Sequence, residues 1–206
     1  MATSNQTHPT LDVEYEYSPR VTTLFGAFTG VALFGWIVSV FLSGIHFWAL
    51  PLPSGVEPSG SIAVLTSTWA YVGPIPLALL GAFYYLSMLF TAGLWSQTRH
   101  PLIIKALTPI TASGVLASAY FVYLQLVPIG EICPFCMMSA AATVTLFGLE
   151  LGMLRSSDLP SLSALTADAD HLLDPTKLAL PVILGLTGLL ALVAFYGVTL
   201  APVPGT

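Results

Sequence analysis

The chain of 206 residues holds two cysteines, three positions apart, as Cys133-Pro134-Phe135-Cys136. A dithiol at that spacing can close to a disulfide and reopen, because helical neighbours at i and i+3 share one side and lie close enough to bridge. The first cysteine falls where an apolar helix would begin. There the unpaired backbone N–H groups and the helix dipole favour a thiolate. A proline directly after it suits an early helical position, whose N–H needs no partner. Two plainer readings stand beside the redox dithiol: half of a zinc site, or two buried apolar side chains. Zinc needs further ligands, and His8, His46, His100 and His171 are scattered over loops and segment ends. The cysteine spacing favours the redox reading, and no metal is expected.

The elements that must position this pair are set by composition. Only 7% of the residues are charged, 55% are hydrophobic, and the mean hydropathy is +0.85. A soluble domain of this length carries about a quarter charged residues, so most of this chain is expected to lie in lipid. Five apolar stretches are each long enough to cross a bilayer, which takes about 20 helical residues. They run over Val21–Phe47, Pro74–Trp95, Ile104–Val127, Ile132–Leu154 and Leu178–Leu200. None has the short apolar core and cleavage site of a signal peptide. The net charge of −5 argues against a nucleic-acid partner.

The basic residues orient the spans. Arg20 precedes the first, Arg99 and Lys105 bracket the link between the second and third, and Arg155 and Lys177 flank the link between the fourth and fifth. With five spans these three segments share one face. The segments of the other face, Trp48–Val72, Pro128–Glu131 and Ala201–Thr206, hold no Lys or Arg. The expected arrangement is a multi-pass protein of the cell (inner) membrane, its N-terminus cytoplasmic and its C-terminus outside. The dithiol then lies near the outer, oxidising face.

Other residues invite a functional and a plain reading side by side. Glu131 could move a proton beside the dithiol, or be a solvated turn acid that favours a helix N-terminus. Glu150 is an acid inside a span, a functional candidate, or it snorkels toward the surface near Arg155. Trp36, Trp48, Trp69, Trp95 and Tyr71 fit interfacial anchoring, and His46 is assigned the same role. Tyr120 and Tyr123 could line a pocket or simply pack.

Two segments together resemble one family. The stretch Tyr120–Ala140 (YFVYLQLVPIGEICPFCMMSA) looks like the active-site helix of the vitamin K epoxide reductase family. Val64–Tyr85 (VLTSTWAYVGPIPLALLGAFYY) is similar to that family's serine-containing loop and the Gly-x-Pro helix start after it. The resemblance implies an all-α, polytopic fold: a four-helix transmembrane bundle around a quinone pocket, with a fifth transmembrane helix beside it. It divides the chain into a cytoplasmic tail (1–20), the membrane domain (21–200) and a short outer tail (201–206). The helices would approach one another at Gly73, Ala78, Gly81 and Ala82, and a short helix near Ile62–Thr68 would cap the pocket.

The activity it implies is quinone-coupled thiol oxidation, with electrons passing from a thioredoxin-like partner through the CxxC to a membrane quinone of menaquinone or ubiquinone type. Cys133 would exchange with the partner and Cys136 would face the quinone, with Ser67, Pro76, Phe135 and Tyr120 as quinone-binding residues. Because the sequence stops at Thr206, the partner is expected to be a separate polypeptide on the outer face. The sequence departs from the family in two places. The Trp48–Val72 loop lacks the family's cysteine pair, with Ser61 where the second would stand, and Ala140 replaces a common tyrosine. A serine cannot take part in thiol–disulfide exchange. The other function carried is therefore a non-catalytic subunit of a larger respiratory or photosynthetic membrane complex.

Overall fold

In hydrocarbon, backbone N–H and C=O groups must be paired within the segment, so apolar spans of this length become helices. The computed structural model describes residues 17–48, 55, 57–157 and 175–200. The expected tails at 1–16 and 201–206, part of the Trp48–Val72 loop, and His8 and His171 lie outside the described residues. Among those described there are six α-helices: α1 (Pro19–Trp48), α2 (Gly60–Thr66), α3 (Leu77–Thr98), α4 (Pro101–Leu124), α5 (Pro134–Arg155) and α6 (Pro175–Leu200). α1, α3, α4 with its C-terminal extension, and α5 are each long and apolar enough to cross a membrane. They form the four-helix bundle, in which α1 packs on α3 and α5, and α4 on α5; α6 lies along α3. The all-α membrane architecture expected from the sequence is the one observed.

The helix boundaries differ from the hydropathy pattern where prolines and caps intervene. The second span begins at Leu77, not Pro74, because residues 71–76 form a small antiparallel hairpin, β1 (Tyr71–Val72) with β2 (Ile75–Pro76). Gly73 and Ile75 each precede a proline and are thereby pushed out of helical geometry. Gly73 takes φ +61° in the hairpin turn, a conformation only glycine adopts readily, so its part is to turn the chain rather than to admit a neighbouring helix. The third span begins earlier than Ile104. Pro101 occupies the first helical turn, and His100 caps it by accepting from the Leu102 N–H at 3.2 Å. At its other end α4 widens into a single π turn, Gln125–Ile129, closed by Gly130 at φ +72°.

The end of the bundle remote from the cysteines is solid. Val21, Phe25, Phe28, Met88, Ile104, Leu107 and Met153 are buried together there. Trp95, read from sequence as an interface anchor, belongs to this core. Its ring stacks on Phe25 with centroids 4.0 Å apart, and the Arg99 guanidinium lies 4.5 Å over its other side. Glu150 corrects the snorkelling expectation in the same way. It is fully buried, and its carboxylate accepts from Thr108 Oγ1 (2.5 Å) and Thr111 Oγ1 (3.4 Å), tying α5 to α4.

Candidate functional site

Cys133 caps α5. Its Sγ accepts from the Cys136 N–H at 3.2 Å, Pro134 fills the first helical position, and the Cys136 thiol lies 2.7 Å from Cys133 Sγ. Both cysteines are free thiols. The backbone before the cap is held from α4: Gln125, buried in the π turn, accepts the Cys133 N–H through Oε1 at 2.8 Å. The π turn thus aims a side chain at the dithiol that a regular helix end would place elsewhere.

The two sulfurs face different surroundings. Cys133 is fully buried in a cluster with Val38 and Leu42 of α1 and Val64 and Leu65 of α2. The Cys136 thiol, hydrogen-bonded to it, brings the Cys133 pKa down to about 6 against the opposing effect of burial, and the Ser61 hydroxyl of α2 adds to the lowering. Ser61 therefore stands beside Cys133, at the position where the sequence lacks the loop cysteine. Glu131 is neither a free turn acid nor turned toward the sulfurs. Its Oε2 accepts from the Gly60 N–H at 3.0 Å and fastens the start of α2 to the turn that carries the dithiol.

Cys136 is half-buried and lines a partly open cavity of about 380 Å³ between α1, α2, α3, α4 and α5. α3 and α4, joined at the far end, are separated by it. Leu42, Leu65, Ala78, Gly81, Ala117 and Phe121 give it apolar walls. Tyr85 closes one side, its hydroxyl donating to the Ser139 carbonyl (2.6 Å) and lying 2.8 Å from Thr143 Oγ1. Its ring fits because Gly35 of α1 has no side chain to meet it.

Of the four quinone-binding residues expected from sequence, Ser67 shares this cavity with Cys136. Ser67 ends α2, which occupies nearly the stretch foreseen for a capping helix, and its hydroxyl donates to the Val64 carbonyl at 2.7 Å. The other three lie outside the cavity lining. Phe135 packs toward α1, 5.1 Å from the Phe41 ring. Pro76 lines a separate apolar groove with Phe83 and Leu192. Tyr120 is exposed on the outside of α4, as is Tyr123.

Three residues were missed. Gln125 is the one amide in the apolar run from Phe121 to Ile129, and that isolation was a usable signal. His46, assigned to the interface, is buried and lines the cavity. Tyr84 lines it as well, and nothing in the sequence set it apart from its neighbour Tyr85.

Fold and site together are those of a multi-pass membrane protein with a CxxC beside an apolar cavity. The chain belongs to the vitamin K epoxide reductase family, whose model matches residues 27–151, more than half of the sequence and all of the dithiol site. Proteins of this family are thiol oxidoreductases that work with quinones. No curated protein matches the chain significantly.

Proposed function

We propose that the protein is a quinone-coupled thiol oxidoreductase that makes a disulfide in a thioredoxin-like partner and delivers the electrons to a membrane quinone. The observation that carries this reading is the placement of Cys136 in the wall of an apolar cavity, with Cys133 at its back. The cavity fits a quinone ring: its walls are apolar, and it adjoins buried polar atoms that have no partner in the protein. Bound there, a quinone would take two electrons and two protons as the two thiols become one disulfide.

The chain's own residues do the rest. Cys136 presents its sulfur to the cavity. Cys133, with its lowered pKa, resolves the pair into the disulfide, which is then open to attack by a partner thiolate. Exchange of the partner dithiol re-forms both cysteines and leaves the partner oxidised. In the state described, α2 covers Cys133, so the exchange requires α2 and its Glu131 tie to lift. The reading puts the dithiol end on the outer face of the cell membrane. In its support, Arg20, Arg99 and Arg155 all lie at helix ends remote from the dithiol. Menaquinone and ubiquinone types both suit the cavity.

The test is quinone reduction by the purified protein with a reduced thioredoxin-like domain as donor, comparing wild type with Cys133→Ala and Cys136→Ala. Turnover in the wild type alone is the expected result. Background rates in all three, with the protein recovered in a larger membrane assembly, would favour the non-catalytic subunit, a reading to which the cysteine-free loop lends weight.

A further inference from the structure

A cavity in a membrane bundle has little water to satisfy stray polar atoms, so an unpaired one beside it calls for a partner. Most polar side chains around this cavity are already paired. Ser67 and Ser113 donate to carbonyls in their own helical turns, Tyr85 bonds α5, and Gln125 holds the Cys133 N–H. Two are not. His46 Nδ1 and Tyr84 Oη are buried with no hydrogen-bond partner, and both residues line the cavity.

They approach from different elements. His46 sits two residues before the end of α1, on the dithiol side, with its ring 5.0 Å from that of Tyr71. Tyr84 is in the second turn of α3, and its hydroxyl lies against α4 at Gly114, where a Cβ would come within 2.5 Å of Oη. The absence of a side chain at Gly114 is what makes room for the hydroxyl.

We infer that His46 Nδ1 and Tyr84 Oη are the hydrogen-bonding groups for the two ring oxygens of a bound quinone, one to each oxygen. The assignment rests on the quinone reading above and deepens it. A quinone offers two acceptor oxygens on opposite sides of an apolar ring, and the cavity has apolar walls with two unpaired groups on separate helices. A small side-chain shift into the cavity gives each group its partner. The two groups also suit the change of redox state. A tyrosine hydroxyl donates to a carbonyl and accepts from a hydroxyl, and an imidazole nitrogen does either according to tautomer. The same two contacts can therefore hold the ring before and after it gains two protons.

The experiment compares wild type, Tyr84→Phe, His46→Leu and His46→Gln in detergent, titrated with a short-chain ubiquinone and with menadione. Tryptophan fluorescence reports binding, and thermal unfolding is followed without ligand. Tyr84→Phe and His46→Leu should each weaken quinone binding about tenfold, the worth of one hydrogen bond, and His46→Gln, which keeps a polar group, should weaken it less. Without ligand, Tyr84→Phe should unfold no more easily than wild type, because it removes an unpaired group rather than a bond. A merely structural hydroxyl would give the opposite pattern, with lower stability and unchanged binding, and would overturn the assignment. Binding unchanged in both Tyr84→Phe and His46→Leu overturns it as well. A wild type that binds neither quinone defeats the quinone reading itself, a separate outcome.

Discussion

The two ends of the bundle are built on the same four helices, from similar residues, yet one is packed solid and the other is hollow. At the remote end, Phe25 and Arg99 lie over the Trp95 ring, and Phe28, Met88 and Leu146 are fully buried between the helices. At the dithiol end several of the lining positions are small, Ala78, Gly81, Gly114 and Ala117 among them, and a cavity of about 380 Å³ remains. Glu150 at the solid end has two threonine donors, whereas His46 and Tyr84 at the hollow end have no partner. The solid end fixes the angles of the helices, and the hollow end uses that rigidity to hold open a space next to two thiols. In lipid, where burial of apolar surface gains little, close packing is the main source of helix association. A bundle can therefore leave one end unfilled only if the other end is packed well.

The sharpest way to break the comparison is at the sulfurs. Cys136→Ala should lower thiol-to-quinone turnover by at least about 10³-fold, because no other thiol faces the cavity and Cys133 alone cannot close the disulfide. Given the partner in its disulfide form, the same variant should form a mixed disulfide, seen on non-reducing gels, because the Cys133 thiolate attacks the partner disulfide, one partner thiol leaves, and no Cys136 is present to displace the partner. Cys133→Ala should be equally inactive without that species. The fold should survive both changes.

Next in size is the contrast in packing. Phe28→Ala, in the solid end, should cost about 3 kcal/mol by opening a cavity that the neighbours cannot refill. Ala117→Leu, in the hollow end, should leave unfolding within about 1 kcal/mol of wild type, since it fills space already empty, and should abolish quinone binding. Unfolding in mixed micelles, paired with a quinone titration, checks both. If Ala117→Leu proved as disruptive as Phe28→Ala, the hollow end would not be hollow in the membrane.

A smaller effect should follow Gln125→Leu. It leaves the buried Cys133 N–H without its acceptor, at a cost of about 1–3 kcal/mol, and frees the segment that sets the Cys133 sulfur. Turnover should fall while quinone affinity stays near wild type, because Gln125 acts on Cys133 rather than on the ring. Equal losses in both would place Gln125 among the quinone contacts instead.

The smallest effect concerns pH. With the Cys133 pKa near 6, its thiolate is present above that pH and lost as the pH falls through it. The rate of attack by Cys133 on a disulfide probe, in Cys136-containing protein, should therefore rise as the pH passes through about 6 and level off above. Ser61→Ala removes one of the groups that favour the thiolate, so the midpoint should move upward. A midpoint unmoved by that change would show that Ser61 fills the loop-cysteine position without acting on Cys133.

Much of this was legible in the residues themselves. The near absence of charge and five apolar runs required membrane helices, since no other local structure pairs its own backbone in lipid. The three-residue spacing of Cys133 and Cys136, followed by proline, marked a dithiol at a helix start. Ser61 and Ser67 could be placed relative to it through the resemblance of two motifs. Hydropathy could not locate the start of α3, because Pro74 and Ile75 are as apolar as the helix that follows. Tertiary structure alone decided which polar groups meet the site. A histidine near a helix end reads the same in sequence whether it faces lipid or a cavity, and in the folded bundle His46 is buried with its ring against Tyr71. Tyr84 and Tyr85 are adjacent, yet one bonds α5 and the other is left beside the cavity, because consecutive helical positions point about 100° apart. Tyr120 points out and Gln125 in for the same reason, compounded by a π turn that no periodicity announces. The sequence by itself determined the solvent, the helices and the place of the dithiol at a helix start, all of which depend on composition and short spacings. Which side chains surround the thiols depends on helix rotation and on contacts between residues far apart in the chain, and only the packed bundle sets those.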